Sequence, residues 1–328
     1  MSPGGNREIL VILSFRKESR ISVKQLKSEL HAYISDKDFA PAAEYFTAHA
    51  APCIRFRDLG GFEDAPIGAT RFGGDPDLPP SQQWPTDPDA PADRNALLFA
   101  AQLNFAELPG WRGCPLPKKG MLSVFVGIGG LQGFSTALFF PKTDGLVRCS
   151  TPLDRLGPEY SKDEYLAPCR AEPILALSIP ATVEHFRNRI AELCKDVESI
   201  DFDYPEINDD FQMIEQATGP DDWFSQLLGY AIPPYLPHQQ YHEQAAARRL
   251  GINANVGRRG TFDLAALPNP NDRRSIEEES LRFPLLLSMH SRGTTGAMWS
   301  DCGTIHVLAH EDQIRSRDFD RLPTFLYH

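Results

Sequence analysis

Short apolar segments rich in β-branched and aromatic residues recur along the whole chain, each bounded by proline, glycine or polar residues. Segments of this length and composition are typical of β-strands. Proline reinforces the pattern, because 28 of the 328 residues are proline, and proline breaks helices and confines strands to short pieces. We therefore predict strands over 9–15, 53–56, 96–105, 121–126, 135–140, 173–179, 283–289 and 304–309.

Three stretches instead carry apolar residues at helical spacing. The first covers 22–34 and begins with Ser22 and Gln25 in the positions of a capping box. The second covers 182–197, and a third, weaker one covers 240–251 and ends at a glycine suited to a C-cap. Together the elements predict an α+β fold that is strand-rich, with mostly antiparallel sheets and a few peripheral helices.

Two of the predicted strand pairs look alike. "LLFAAQLNF" is followed by "GMLSVFV", and "PLLLSMH" is followed by "GTIHVLA". Each pair is an apolar strand, an irregular loop, a glycine and a second apolar strand. The likeness indicates a weak internal duplication, with sheet halves at about 51–180 and 181–328, although a chance match of generic strand pairs explains it equally well. Residues 1–50 then form an N-terminal strand–helix extension to a main domain at 51–328.

The charge balance disfavours nucleic acid as a partner. The chain has 33 Lys and Arg against 44 Asp and Glu, a net charge of −11, and an acidic surface repels phosphate backbones. The densest basic run, "GRRG" at 257–260, contains only two arginines. Acidity instead favours solubility, or docking to a basic protein.

Targeting signals and cysteine usage indicate a cytoplasmic protein outside the membrane. The apolar core of "EILVILSF" is too short for a signal sequence, and no stretch approaches the length needed to span a bilayer. The six cysteines show no CxxC and no regular spacing, which favours reduced thiols.

The segment "MWSDCGTIHVLAH" places a cysteine, an aspartate and histidines close together in sequence. Its small and apolar residues alternate with Cys302, Thr304 and His306, which predicts a half-buried strand. Residues four apart on a strand are separated by about 13 Å. Cys302 and His306 are therefore too far apart to form a catalytic pair, and we predict no catalytic residue here.

Two further segments resemble ligand sites only in part. "PHQQYHEQ" offers His238 and His242 at helical spacing for one metal ion, but the second histidine of a His-Glu-x-x-His motif is absent. We regard both histidines as weak metal candidates only. "GIGGLQG" at 127–133 has the wrong glycine spacing for a dinucleotide loop and continues as a strand, so no cofactor is predicted.

Two tryptophan segments, 71–85 and 298–303, each combine an aromatic residue, an aspartate and turn glycines. One interpretation is a pair of loops locked onto the core, with Gly73 and Gly74 supplying backbone angles that other residues reach only with strain. The other is a binding cleft. Its lining would be Arg71, Trp84, Gln102, Asn104, Trp299 and Asp301.

These segments, in this order, resemble the YwqG-like family, a domain of unknown function (DUF 1963). The resemblance rests on "RFGGDPDLPPSQQWP", "LLFAAQLNFAELP", "LLGYAIPPYLPHQQ" and "PLLLSMHSRGTTGAMWSDCGTIHVLAHEDQIRSRDF", and it covers roughly 68–320. It implies an α+β fold in soluble bacterial proteins, with no established reaction. It also adds Tyr230 and Gln239 to the candidate binding residues. This chain departs from the family where "AIPPYLPH" precedes Gln239 and where Leu287 replaces a glutamine.

We hypothesise a non-enzymatic cytoplasmic protein that binds a protein partner. The reasons are an acidic surface, proline-bounded loops that carry Trp84 and Trp299, and no coherent set of reacting groups. A basic toxin that the protein neutralises is one version, loosely suggested by the family. The alternative is a small-ligand-binding protein or an enzyme that uses a cleft between the two sheet halves.

Overall fold

The computed structural model describes residues 21–127, 132–156, 166–181, 184–197, 213–214, 223–231, 241–252, 262, 264, 266–291, 293–299 and 302–327. The strand predicted over 9–15 lies outside them. Within the described residues, ten strands close into an antiparallel barrel and two short strands form a separate pair. The predicted α+β class, strand-rich and mostly antiparallel, is confirmed.

The strands follow the predicted apolar segments closely, with some additions. The barrel strands are β1 (Ala51–Gly61), β2 (Arg71–Phe72), β4 (Leu98–Asn104), β5 (Met121–Val126), β6 (Gln132–Phe140), β8 (Cys169–Ser178), β9 (Trp223–Leu227), β10 (Leu285–His290), β11 (Thr304–Leu308) and β12 (Phe319–Tyr327). The separate pair is β3 (Asp77–Leu78) and β7 (Val147–Arg148).

The order of the strands around the barrel has a two-fold pattern. The order is β1-β8-β2-β4-β5-β6-β12-β11-β10-β9, and β9 pairs back onto β1. The run β4-β5-β6 meets the run β12-β11-β10 at the β6–β12 pair. The short strand of each half pairs with the long strand of the other, β2 with β8 and β9 with β1. In this order β8 (Cys169–Ser178) groups with the later strands, although the sequence boundary at about 180 places it in the first half.

The two hairpins that look alike in sequence also share a detail of register. β4 pairs with β5, and β10 pairs with β11, each with a β-bulge near the start of its first strand, between Phe99 and Ala101 and between Leu285 and Leu287. Counting from the bulges makes Gln102 on β4 the equivalent of Ser288 on β10. Their cross-strand partners, Ser123 and His306, are then equivalent too.

The barrel interior is the main hydrophobic core. Alternate residues of each strand face inward, as on β11, where Ile305 and Val307 join the core while His306 between them faces outward. Trp299 also belongs to this interior core. A filled interior means that a ligand can reach the barrel strands only from their ends or their outer faces.

Helices and one loop cover the outer face. The helices are α1 (Val23–Ser35), α2 (Ala43–His49), α3 (Glu184–Leu193), α4 (Tyr241–Leu250), α5 (Pro270–Ser280) and α6 (Glu311–Ser316). α1, α2 and α3 pack with Leu177 of β8, whereas α4 and α5 pack with Leu308 and Phe325. In the described part of the chain no helix is both long and apolar enough to cross a membrane.

The three helices predicted from spacing are present as α1, α3 and α4. At α1, the Ser22 hydroxyl accepts from the backbone N–H of Gln25 at 3.2 Å, as an N-cap should. The Gln25 side chain instead donates to Glu29, so the reciprocal half of the capping box is not formed.

Candidate functional site

Four side chains form a buried ionic cluster on the outer face of the first half of the barrel. Two of them were predicted to line the cleft, and the other two lie next to those. We call Arg71, Asp77, Gln102 and Arg148 the Asp77 cluster. The Asp77 carboxylate accepts from Arg148 Nε at 2.6 Å, Gln102 Nε2 at 2.7 Å and the Gly68 N–H at 2.8 Å. Arg71 Nη2 lies 3.4 Å from both Asp77 Oδ1 and Gln102 Oε1. The cluster is therefore closed around its carboxylate.

The protonation of Asp77 follows from these contacts. Burial by itself raises the pKa of this carboxyl, but hydrogen bonds from Arg148, Gln102 and Gly68, together with the Arg71 charge, lower it overall. Asp77 is consequently an ionised, buried and fully engaged group. It holds β2, β3, β4 and β7 together rather than offering an open site.

Asn104 and Trp84 also hold loops to the barrel. Asn104 Nδ2 donates to the Gly68 carbonyl at 2.7 Å. Trp84 is half-buried, donates from Nε1 to the Leu97 carbonyl at 2.9 Å and packs edge-on against Phe125, with ring centroids 5.3 Å apart. Both residues thus fix the 68–97 region to the barrel. Trp84 packs against Phe125 of β5 and is not part of the Asp77 cluster.

Gly73 carries out the backbone role predicted for it. Its φ is +63°, and a Cβ built there would lie 2.7 Å from the Leu166 carbonyl oxygen. Gly73→Ala is expected to lower the free energy of unfolding by about 1–3 kcal/mol, because it combines a left-handed backbone with this clash. Chemical denaturation measures the loss. Gly110→Ala, where a Cβ meets nothing within 4 Å, is the control, and equal losses in both variants would contradict the assignment.

Trp299 lies in the barrel core and is only 2% exposed. It therefore offers no surface to a partner, and its predicted role as an interface anchor is not supported by its burial. Asp301, its predicted neighbour in the cleft, lies outside the described residues. Of the described residues predicted for the cleft, Arg71 and Gln102 meet, whereas Trp84 and Trp299 pack at other places.

The segment that follows Trp299 runs as the predicted strand. Residues Thr304–Leu308 form β11, with His306 buried on its outer face. Cys302 precedes the strand, is exposed and has a φ of +57°, and its sulfur lies 4.0 Å from Met298 Sδ. Neither ring nitrogen of His306 has a hydrogen-bond partner among the described residues. The thiol and the imidazole therefore form no pair.

His242 and Tyr230 lie together on the outer face of the second half. His242 Nδ1 is 2.7 Å from the Phe283 carbonyl, and Nε2 accepts from the Ala231 N–H at 3.4 Å. Burial lowers the pKa of His242 to about 4, so the ring is neutral. Both its nitrogens are engaged, which leaves neither for a metal. His238 and Gln239 lie outside the described residues, and in the described part no three His, Cys, Asp or Glu residues gather as a metal site.

An open groove lies between α4, α6 and the β6–β12 pair, and none of the residues predicted from sequence lines it. Its volume is about 620 Å³, within the range of ligand pockets. In the part of the chain that the structure describes, its lining contains three arginines and no acidic residue. We call it the arginine groove, and its lining is Gly133, Phe134, Ala245, Arg248, Arg249, Phe283, Gln313, Arg321 and Pro323.

Aromatic rings support two of the three guanidinium groups. Arg248 lies over Phe325 at 5.3 Å from the ring centroid, and Arg321 lies over Phe134 at 4.7 Å. Stacking on a ring holds the planar guanidinium in place. The two supported arginines come from different elements, α4 and β12.

Arg321 has an unusual backbone. Its φ is +47°, and the register of β12 on β6 shifts between Phe319 and Leu322. A bulge of this kind redirects a side chain, and a left-handed conformation is costly for a residue other than glycine. Here the bulge places Arg321 over Phe134 at the groove.

The groove arginines also have acidic neighbours outside the lining. Arg249 contacts Glu279 at 2.9 Å and Asp312 at 3.2 Å, and Arg321 contacts Asp89 at 3.2 Å. Both arginines are exposed. Exposed ion pairs contribute about 0–1 kcal/mol, so an incoming carboxylate can compete with them.

Sequence comparison gives a family but no activity. The family model described as "Domain of unknown function (DUF1963)" matches residues 70–325, most of the chain. No curated protein matches the sequence. The match begins after α1, α2 and β1, although β1 is an integral strand of the barrel.

Proposed function

Because the chain belongs to the DUF1963 family, which has no assigned activity, we propose a function from its own geometry. The protein is a non-enzymatic binding protein, and its arginine groove holds an acidic segment of a partner protein. The observation that carries the proposal is the lining, which among the described residues has three arginines and no carboxylate, in a chain of net charge −11. Positive charge concentrated in one groove of an acidic protein is complementary to an anion.

The chemistry of the lining favours a peptide over an isolated inorganic anion. Arginine binds a carboxylate through two parallel N–H bonds. Phe134, Phe283 and Pro323 also line the groove and add apolar surface. An acidic segment presents both kinds of group, carboxylates for the arginines and methylene stems for the apolar part.

Binding is proposed rather than catalysis because of the groove's side chains. Its described lining contains no cysteine, serine, histidine or carboxylate that could act as a nucleophile or a general base near neutral pH. A basic toxin, the partner loosely suggested by the family resemblance, would be repelled by the groove and would have to dock on the acidic remainder of the surface.

A cytoplasmic location is part of the proposal. All six cysteines lie in the described residues, and each is a free thiol. Reduced cysteines support a reducing compartment.

A labelled hexaglutamate peptide is the probe that tests the groove. We expect it to bind in a fluorescence anisotropy titration, to bind more weakly as ionic strength rises, and to bind more tightly than a hexaglutamine peptide. Arg248→Glu is expected to weaken binding about tenfold or more, because reversal replaces attraction with repulsion.

Arg189→Glu is the matched control, since Arg189 is an exposed, ion-paired helical arginine on α3, outside the groove. Equal weakening by both variants would show that net charge alone governs binding. Equal affinity for the glutamate and glutamine peptides would contradict the proposal directly. Inorganic phosphate that displaces the peptide at similar concentration would show a simple anion site instead.

A further inference from the structure

We propose that Ser288 and His306 form an enclosed second site, separate from the arginine groove, which binds the carboxamide group of a small molecule. The two residues are directly opposite each other on β10 and β11. Both face outward, toward α4, and the ring of Tyr241 at the start of α4 lies 5.4 Å from the His306 ring. The site therefore lies between the barrel wall and α4.

Three polar atoms at this place have no hydrogen-bond partner within the described structure. They are Ser288 Oγ and the two ring nitrogens of His306. Both residues are fully buried. Buried polar groups are nearly always satisfied in folded proteins, because an unmade hydrogen bond is costly. Three unsatisfied atoms on one cross-strand pair indicate that another molecule completes the site.

The surrounding polar groups do not fill this role. Gln226, opposite Ser288 on β9, donates from Nε2 to the carbonyls of Leu228 and Tyr230, both at 3.0 Å. Its Oε1 accepts from Arg55 Nε at 3.3 Å. His242 is engaged by Phe283 and Ala231, as described above. The side chains of Gln226 and His242 are thus committed elsewhere.

The first half of the barrel shows what chemical group suits this position. Gln102 is the equivalent of Ser288, and there the chain supplies a carboxamide of its own. That amide donates to Asp77 Oδ2 and to the Ala69 carbonyl, and accepts from the Asp77 N–H. Ser288 is shorter by the whole amide group and faces the larger His306 where Gln102 faces Ser123, so the second hairpin has no carboxamide of its own at the corresponding place.

The donors and acceptors also match. A neutral imidazole offers one N–H donor and one acceptor, and a serine hydroxyl offers both. Burial and the nearby His242 lower the pKa of His306 to about 3, which keeps it neutral. A carboxamide presents an acceptor oxygen and an NH₂ donor in one plane, and can therefore bond one ring nitrogen of His306 and the Ser288 hydroxyl together. A carboxylate would bring an uncompensated charge into a fully buried place, which is costly.

A lone unsatisfied hydroxyl is not sufficient grounds for such a site. Ser123, the equivalent of His306 in the first half, also has a buried hydroxyl without a partner. That hydroxyl lies beside the Asp77 cluster, whose carboxylate is fully engaged, whereas Ser288 and His306 face each other with three unsatisfied atoms. Ser123 consequently provides a matched control.

The probes are two carboxamides, acetamide and nicotinamide, each paired with a methyl ketone of the same shape, acetone and 3-acetylpyridine. In a thermal-shift titration we expect at least one carboxamide to raise the melting temperature saturably and its ketone to raise it at least fivefold less. Ser288→Ala is expected to weaken the binding about tenfold, and Ser123→Ala to leave it unchanged. His306→Phe, which keeps the ring packed on Tyr241, is expected to abolish it.

Several results would overturn the proposal. They are no saturable shift with either carboxamide, equal shifts with amide and ketone, or equal weakening by Ser288→Ala and Ser123→Ala. A crystal structure with only water bonded to Ser288 and His306 at saturating acetamide would do the same. If His306→Phe does not fold, the two serine variants decide the question. Hexaglutamate binding in the Ser288→Ala variant separates this site from the arginine groove, since we expect it to be unchanged.

Discussion

Replacing Asp77 by alanine is expected to lower the free energy of unfolding by about 3–5 kcal/mol, the usual cost of removing one partner of a buried ion pair. The change leaves Arg71, which is 1% exposed, without its carboxylate. It also removes the acceptor for Gln102 Nε2 and for the Gly68 N–H. Urea denaturation at neutral pH measures the effect.

Asp64→Ala, at an exposed position in the same region, is the control and should change stability little. Asp77→Asn keeps the shape of the side chain and should fall between Asp77→Ala and the wild type. A loss below about 1 kcal/mol for Asp77→Ala would show that the cluster contributes no more than an exposed pair.

The pH dependence of this contribution has a definite sign. The folded state holds the pKa of Asp77 below its usual 3.8, so the folded state binds fewer protons than the unfolded state. The stabilisation is therefore complete above about pH 3.8 and is lost as the pH falls below it. The Asp77→Asn variant should lack this acid-dependent loss.

Acidification from pH 7 to pH 5 is expected to lower the free energy of unfolding by about 2 kcal/mol for each of His242 and His306. Burial, and for His306 also the His242 charge, holds their folded pKa values at about 4 and about 3, against a usual 6.5. The unfolded chain takes up protons below pH 6.5 while the folded chain does not. Stability is therefore complete above pH 6.5 and falls as the pH drops below it.

Denaturation curves at pH 7 and pH 5 test this expectation. His306→Phe should reduce the difference between the two pH values by about half. His31→Gln removes an exposed imidazole on α1 and serves as the control. If His306→Phe shows the full wild-type difference, protonation of His306 does not limit stability in acid.

The strands that could be predicted from the sequence are those in which the apolar spacing and the residue types both indicate a strand. β11 alternates between core residues and outward ones, and the predicted 304–309 differs from Thr304–Leu308 by a single residue. β12 was not predicted, because Pro323 and three charged or polar residues interrupt its apolar pattern. Its place between β6 and β11 supplies the pairing that its own composition does not suggest.

Burial was harder to predict than secondary structure. A tryptophan beside glycine and aspartate has the same sequence pattern whether it fills a core or anchors a partner. Trp299 fills the barrel core, and Trp84 is held by Leu97 and Phe125. Only the path of the neighbouring chain distinguishes the two cases, and that path depends on contacts distant in sequence.

The arginine groove could not be predicted for a related reason. Arg248 and Arg321 lie on α4 and β12, far apart in the sequence, and meet only because the barrel closes. The basic run that the sequence did single out, 257–260, lies outside the described residues. The contrast between Gln102 and Ser288 likewise becomes visible only through the register of the two hairpins.

A crystal structure of the protein with hexaglutamate bound tests the proposed function most directly. We predict peptide carboxylates within hydrogen-bonding distance of the guanidinium groups of Arg248 and Arg321, with the peptide chain lying against Phe134 and Pro323. An empty groove at saturating peptide, or a peptide bound at another surface, would contradict the assignment of the groove as the partner site.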